Sequence, residues 1–519
     1  MNSQIKNALV IALIAGFAVF LFGGWSVTVI GMIAGMGLGY YLGGKTTAKK
    51  PIDAIKEALV PALIGAGGLL VMSLLNDLVI ANAVGKTPNY INVIIQANLT
   101  GIPGMFAFTL LVTSMHALPE KQKMRAQIAL LCFIVVTFPF VDRMAELRWS
   151  AQIIFALIFT ILALGLNIVV GFAGLLNLGF AAFFAIGAYT TGILSSPQHG
   201  IFLNFWLVIW IAAAMAGLWG LILGAPTLPV RGDYLAIVTL GFGEIVPVIF
   251  KNLIKVTIQE PLSCWVIPSF VKLFGGETAI KCITLLKDVD LTAGEKGMNP
   301  IGRPSLPFVG EFQSDNLVPW YFLVITIIVL SVFLIRRLRD SRIGRAWMAI
   351  REDELAASQM GIDPVRTKLL AFIMGAVFAG FAGAFYASYI RAIFPSVFDF
   401  SVSIIILCMV ILGGLGNING VIVGGMVIMM ADRLFLPALK DFLAGLLKNT
   451  ILPALSNTPT LQAAVEQNAN PILYRFLLFG LTLVIMMAVK PEGLIPNAQR
   501  KAELRSDDEI AADLASERA

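Results

Sequence analysis

The stretch GRAWMAIREDELAASQMGID, residues 344–363, is a charged interruption in a chain that is otherwise strongly apolar. Apolar runs flank it on both sides, Leu317–Ile335 before it and Leu369–Ile390 after it. Four consecutive charged residues, Arg351 to Glu354, are too costly to place unpaired in the core of a bilayer. The stretch is therefore predicted to lie in water at one face of a membrane, between two helices that cross it.

Basic residues around this stretch indicate which face it occupies. Lys and Arg accumulate in the cytoplasmic loops of membrane proteins. Around the stretch they stand at Arg336, Arg337, Arg339, Arg342, Arg345, Arg366 and Lys368. We therefore predict a cytoplasmic loop over residues 336–368.

Capping signals predict that this loop is folded. Gly361 fits the end of one helix, and Asp363 followed by Pro364 fits the start of the next. Apolar side chains also recur at helical spacing beside the charged face, at Ala346, Ala349, Ile350, Ala357 and Met360. A narrow apolar stripe of this kind can dock on a protein partner. An ordinary solvated connector is the alternative, and the pattern alone does not separate the two.

Composition places the whole chain in a membrane. Of its 519 residues, 58% are hydrophobic and 13% are charged, which is too apolar for a soluble domain. The net charge of +6 lies in loops on one side, where it sets orientation, so we do not expect nucleic-acid binding. The four cysteines and two histidines lack metal-ligand spacing, and we predict neither a metal site nor a cofactor. The predicted fold class is all-α, a polytopic integral membrane helical bundle.

Further apolar runs have the length of membrane spans, about 20 residues. They are Leu59–Ile80, Ile102–Leu118, Gln127–Val141, Ser150–Gly171, Asn204–Ala225, Val402–Gly416, Val421–Leu436 and Arg475–Val489, after a helical hairpin within Ala8–Leu42. Counting spans from the cytoplasmic loop puts two excursions, residues 255–316 and 440–471, on the outer side. The charged tail, residues 497–519, is then cytoplasmic.

Three polar side chains inside apolar runs are candidates for a substrate path. Asn167 and Asn177 lie in the glycine-interrupted run Gly165–Leu194, where broken helices are tolerated only against protein or a cavity. Glycines that pack helices closely explain that run equally well. Glu244 lies in the run Leu235–Phe250, and a carboxylate inside the membrane is by default a functional candidate. It can instead anchor another helix through a hydrogen bond or an ion pair.

Several stretches together resemble one family of transport proteins. They are residues 165–189, RGDYLAIVTLGFGEIV at 231–246, the stretch at 344–363, AFIMGAVFAGFAGAFYA at 371–387, VILGGLGNINGVIVGG at 410–425 and KPEGLIP at 490–496. They look like the branched-chain amino acid permeases of bacterial ABC importers, of the M-subunit type. The resemblance covers residues 150–496, the expected permease domain. Residues 1–149 are then an N-terminal transmembrane extension, read from composition alone.

The resemblance implies a permease subunit in the bacterial inner membrane. Its expected substrates are leucine, isoleucine and valine, or related small amino acids and amides. Its expected partners are a homologous second permease, two ABC ATPase subunits and a periplasmic substrate-binding protein. ATP hydrolysis would take place in the ATPase subunits, so this chain is not expected to be an enzyme. The residues themselves leave one alternative, an ion-coupled secondary transporter in which Glu244 carries protons.

The cytoplasmic loop resembles the EAA loop by which such permeases engage their ATPases. The residues implied in this coupling are Gly344, Arg345, Arg351, Glu352, Asp353, Glu354, Ala356, Ala357, Gly361 and Asp363. Two features depart from the family pattern: Leu355 separates Glu354 from the alanine pair, and no Ile-x-Leu-Pro follows Gly361.

Two cysteines, Cys264 and Cys282, fall in the first outer excursion. If the basic loops set the orientation, both face the periplasm, where disulfides form and persist. A bridge between them would stabilise the excursion by about 3 kcal/mol in the chain-entropy model. Two unpaired thiols are the alternative, because the sequence does not tell how far apart their Cα atoms lie.

Overall fold

The computed structural model describes residues 7–8, 10–15, 18, 26–46, 50–84, 88–144, 149–199, 202–227, 233–254, 256–259, 284–307, 310–446, 470–490 and 492–495. These residues are almost entirely helical. The helices are α1 Ser26–Gly43, α2 Pro51–Val84, α3 Pro88–His116, α4 Glu120–Met144, α5 Trp149–Leu166, α6 Phe180–Ser195, α7 Phe205–Thr227, α8 Asp233–Asn252, α9 Leu317–Arg339, α10 Arg342–Glu352, α11 Glu354–Gln359, α12 Pro364–Ile390, α13 Phe400–Gly413, α14 Ile418–Met430, α15 Leu436–Leu446 and α16 Arg475–Val489.

Wide helical turns of the π type extend two of these helices, Asn167–Phe172 after α5 and Ala431–Phe435 after α14. Within the described ranges, ten helices are long and apolar enough to cross a membrane. The flanking spans predicted for the charged loop are present as α9 and α12, and the predicted last span coincides with α16. The predicted polytopic helical bundle is confirmed.

The chain forms two compact units. The first contains residues 1–152 and 431–475, and the second contains residues 153–430 and 476–519. In the first unit, α1 packs on α3 through glycines at four-residue spacing. A Cβ atom placed at Gly39 would lie 2.7 Å from the carbonyl oxygen of Thr109, so only glycine allows this approach.

The start of α5 is fixed by a capping carboxylate in the first unit. The Asp142 carboxylate accepts hydrogen bonds from the backbone N–H of Trp149 and of Ser150, each 2.9 Å long. It also accepts a hydrogen bond from the Ser150 hydroxyl. These bonds satisfy N–H groups that the first turn of a helix leaves without a partner.

In the second unit, α12 is the central helix and contacts α6 and α7 along small residues. A Cβ atom at Gly187 of α6 would lie 2.6 Å from the Cα atom of Gly380. A Cβ atom at Gly380 would in turn lie 2.7 Å from the Cα atom of Ala213 in α7. Three backbones therefore meet at Gly380, and aromatic side chains of α6 and α12 also contact each other edge to face.

The segment predicted to be the first outer excursion, residues 255–316, carries the small amount of strand that the structure describes. Val256–Gln259 (β1) pairs antiparallel with Thr284–Val289 (β2), and Ser305–Leu306 (β3) pairs with Gly310–Glu311 (β4). The backbone of Met298 bonds that of Ile393, which ties the excursion to the segment after α12. Cys264 and Cys282 lie outside the described residues, and their pairing stays a prediction.

Candidate functional site

The charged loop forms two short helices, α10 and α11, and side chains cap each helix that begins in it. The Ser341 hydroxyl accepts a hydrogen bond from Gly344 N. Asp353 accepts from Leu355 N and Ala356 N at 2.8 and 2.9 Å, and Asp363 accepts from Val365 N at 3.0 Å. Pro364 is the first residue of α12, and Gly361 has a positive φ of 85°. The predicted folding of the loop is confirmed.

Buried side chains anchor the loop to its own unit. Trp347 is fully buried, and its indole N–H donates to the carbonyl oxygen of Thr367 at 2.7 Å. Ile350 of α10 and Ala357 of α11 are buried as well. Sequence reasoning did not assign Trp347 a role, although a single Trp three residues before Ile350 in a charged helix is a signal for an anchoring face.

An ion pair closes the second half of the loop onto α12. The Lys368 ammonium lies 2.6 Å from the Glu354 carboxylate, and the Lys368 side chain is only 12% exposed. Such a pair is worth more than a fully exposed one, whose contribution is about 0–1 kcal/mol. Glu354 therefore holds α11 against the first turn of α12.

Arg351 joins the loop to the break between α5 and α6. Its guanidinium donates to the carbonyl oxygen of Gly171 at 2.5 Å. Gly171 belongs to the π-type turn after α5, in which backbone groups lose their regular α-helical partners. Gly174 lies directly beside the Arg351 side chain, where a Cβ atom would be 2.9 Å from its Cγ. Arg351 thus connects α10 directly to the end of α5.

Asn167 lies in the same π-type turn and binds a second turn of the chain. Its carboxamide oxygen accepts a hydrogen bond of 2.9 Å from Gly416 N, and the residue is fully buried. The turn that contains Gly416 is bonded to the end of the described chain, where Asn417 Nδ2 donates to the carbonyl oxygen of Ile495 at 3.0 Å. These hydrogen bonds connect the charged loop, the helix break, this turn and the segment around Ile495 to one another within the second unit.

Asn177 organises the start of α6. Its carboxamide oxygen accepts from Gly179 N at 3.0 Å. The next backbone N–H groups are bound by hydroxyls of other helices: Leu178 N donates to Thr239 Oγ1 of α8, and Ala181 N donates to Ser403 Oγ of α13. Side chains of α8 and α13 thus bind the backbone at the N-terminus of α6.

The amide nitrogens of Asn167 and Asn177 lie in the protein interior. Among the described residues, neither Nδ2 atom has a hydrogen-bond partner. Leaving a buried amide donor without a partner is costly, and the hydrogen bonds accepted by the carboxamide oxygens are what hold both side chains in place. Their role in a substrate path stays a prediction.

Glu244 has different surroundings from the two buried asparagines. Its neighbour Gly243 faces inward and packs on Gly179, where a Cβ atom at Gly243 would be 2.9 Å from the Gly179 Cα. The Glu244 side chain itself is on the exposed face of α8 and lines a shallow concavity of about 480 Å³. The structure therefore gives the three substrate-path candidates two different environments.

The outer surface of the loop combines charge with exposed apolar side chains. Leu355 is 73% exposed and Met360 is 84% exposed, while Glu352, Asp353 and Glu354 are exposed beside them. Large apolar side chains on a water-facing loop are characteristic of a contact surface when they occur together. Within the described ranges, no three His, Cys, Asp or Glu side chains are grouped so that they could hold a metal ion.

Comparison with known proteins identifies the family. A model of the family described as "Branched-chain amino acid transport system / permease component" matches residues 150–486. The chain is 37% identical to the high-affinity branched-chain amino acid transport system permease protein LivM of Escherichia coli (strain K12), over 67% of this chain and 70% of that protein. It is 32% identical to LivM of Salmonella typhimurium, over 72% of this chain and 76% of that protein.

A second group of relatives matches a shorter part of this chain. The permease protein LivH of Escherichia coli (strain K12) is 30% identical over 28% of this chain and 46% of LivH. No solved structure matches the chain significantly. Together with the ten apolar helices, these relatives identify a multi-pass protein of the inner membrane. Because the family model covers more than half of the sequence, the chain belongs to the family of permease components of branched-chain amino acid transport systems.

Proposed function

We propose that this chain is the permease subunit of an ATP-driven importer of leucine, isoleucine and valine. It works with a homologous second permease, two ABC ATPase subunits and a periplasmic substrate-binding protein. Residues 150–496 are the permease domain, residues 1–149 are an added transmembrane extension, and residues 497–519 are a cytoplasmic tail. The relatives are permeases rather than enzymes, and they give no support to an ion-coupled carrier.

The observation that carries this proposal is the construction of the charged loop. Its inner side is held by Trp347 and by the Arg351–Gly171 hydrogen bond. Its outer side presents Leu355 and Met360 among carboxylates. A rigid loop with an apolar outer surface can receive a force from an ATPase and pass it to the break between α5 and α6.

The proposal is tested by purifying the complex through a tag on this chain and identifying its components by mass spectrometry. We expect the second permease, the ATPases and a binding protein that retains an aliphatic amino acid. The double variant Leu355→Lys, Met360→Lys should lose the ATPases and keep the second permease. Phe202→Lys is the matched control, because Phe202 is exposed to 72% but lies on the opposite side of the predicted membrane. ATPases that remain bound to the double variant would contradict the docking role.

The substitution Glu244→Gln tests the role of Glu244 as a substrate-path candidate. An acidic residue at the centre of a membrane helix costs about 2.5–3.5 kcal/mol on insertion scales, so Glu244 is expected to face protein or water. Glutamine keeps the size and hydrogen bonding but removes the charge. We expect uptake into proteoliposomes to fall modestly and to keep its pH dependence, with accumulation still driven by ATP. A complete loss of accumulation would instead indicate proton coupling through this carboxylate.

A further inference from the structure

Helix α8 turns one face toward its own unit and leaves the other uncovered. Leu235, Ala236, Thr239, Gly243 and Val246 are buried on the inner face. The outer face carries large apolar side chains that are about half exposed, namely Ile237, Val238, Ile245, Val248 and Ile249. Exposure of this kind is ordinary for a helix that contacts lipid, so the exposed apolar residues alone do not define a partner.

The carboxylate of Glu244 makes lipid an unsuitable neighbour for this face. Glu244 lies on the outer face and near the middle of the span Tyr234–Asn252. In the part of the chain that the structure describes, no ion pair or hydrogen bond reaches its side chain. Ionisable side chains within spans almost always face the interior of a bundle or a water-filled cavity and pair with another group. The described residues of this chain do not supply such a pairing group.

A glycine on the same face leaves room for another helix to approach closely. Gly241 lies one turn before Glu244, and a Cβ atom placed there would meet nothing within 4 Å. The glycine is therefore not needed for packing within the unit. In membranes, small residues at helix surfaces allow a second backbone to approach closely. Val248 and Asn252 line the concavity together with Glu244. The Glu244 and Asn252 side chains therefore offer polar groups to a neighbouring helix.

Helix α16 is a predicted span with an exposed apolar surface and serves as a comparison. Its exposed side chains include Leu477, Leu481, Val484 and Ile485. No charged residue occurs between Phe476 and Val489. The contrast with α8 lies in the carboxylate, because α16 has a similar degree of exposure and also carries a glycine, Gly480, whose Cβ atom would meet nothing within 4 Å.

We propose that the outer face of α8, residues 237–252, is the surface covered by the second permease subunit, which supplies a cation or a hydrogen-bond donor to Glu244. This inference rests on the proposed function, because it requires a two-permease complex. The second permease is expected to be homologous, since LivH relatives match part of this sequence. The face then lies between the two permeases, where a substrate passage can form.

Site-specific photocrosslinking tests the surface. A benzoylphenylalanine is introduced at Ile245 or Val248 in α8, and at Val484 or Ile485 in α16 as matched exposed positions. The intact complex is irradiated in membranes and then purified through the tag on this chain. We expect an adduct with the second permease from the α8 positions and no protein adduct from the α16 positions.

The outcomes separate this inference from the proposed function. If the second permease co-purifies but the α8 positions give no adduct with it, or give an adduct with another copy of this chain, the inference is overturned and the proposed function stands. If no second permease co-purifies, both are overturned. As a further measurement, Gly241→Leu should lower the amount of co-purified second permease about tenfold. Gly480→Leu in α16, where a Cβ atom also meets nothing within 4 Å, should leave it unchanged.

Discussion

Gly361→Val is expected to uncouple ATP hydrolysis from transport while the protein still inserts into the membrane. Gly361 has a positive φ of 85°, and a residue with a Cβ atom pays about 1–2 kcal/mol to adopt that conformation, more when it is β-branched. No other atom lies within 4 Å of a Cβ atom at this position, so the strain stays in the backbone between α11 and α12. The junction shifts, and the outer surface of the loop is no longer held at its docking position.

The measurement is the amount of substrate transported per ATP hydrolysed by the complex in proteoliposomes. A cost of about 1.4 kcal/mol corresponds to a factor of ten, so we expect that ratio to fall by about tenfold. Gly310→Val is the matched control, because Gly310 also has a positive φ of 75° and open space around it but lies in the predicted outer excursion, away from the loop. Gly361→Asn should recover part of the ratio, since Asn tolerates the left-handed region. An unchanged ratio in Gly361→Val would refute the coupling role of the junction.

Gly380→Leu is expected to prevent the second unit from assembling. The Cβ atom alone would lie 2.7 Å from the Cα atom of Ala213 and 2.8 Å from the carbonyl oxygen of Ala212. These are backbone atoms, which cannot move aside as a flexible side chain can. Overpacking a well-packed core usually costs about 1–3 kcal/mol, and separating two backbones costs more because every contact along α6, α7 and α12 is lost with them.

The measurement is the yield of monodisperse protein after detergent extraction, together with its thermal unfolding midpoint. We expect little or no folded Gly380→Leu protein. Gly480→Leu makes the same change on α16, where nothing lies within 4 Å of the added Cβ atom, and should unfold at the wild-type temperature. Equal yields and midpoints for the two variants would show that the contact at Gly380 is not essential for assembly.

Elements with strong local signals could be predicted from the sequence. The spans follow from apolar length, and the folded loop follows from Gly361, Asp363 and Pro364, because capping depends on residues only a few positions apart. The glycine-interrupted run after Gly165 indicated a helix break, and the break is present as the π-type turn that begins at Asn167. The sequence did not separate a broken helix from close packing, and both occur, since Gly187 of the same run packs on α12.

Contacts between distant segments were decided by the tertiary structure alone. Arg351 meets Gly171, which is 180 positions away, and Asn167 meets Gly416, which is 249 positions away. No local pattern encodes such pairs, because they depend on how separate spans pack. The same holds for Glu244: its residue type and its place in an apolar run were evident from the sequence, but whether it faced inward or outward was not. That orientation depends on the rotation of α8 about its axis, which is set by Gly243 packing on Gly179 and by Thr239 binding the backbone of Leu178.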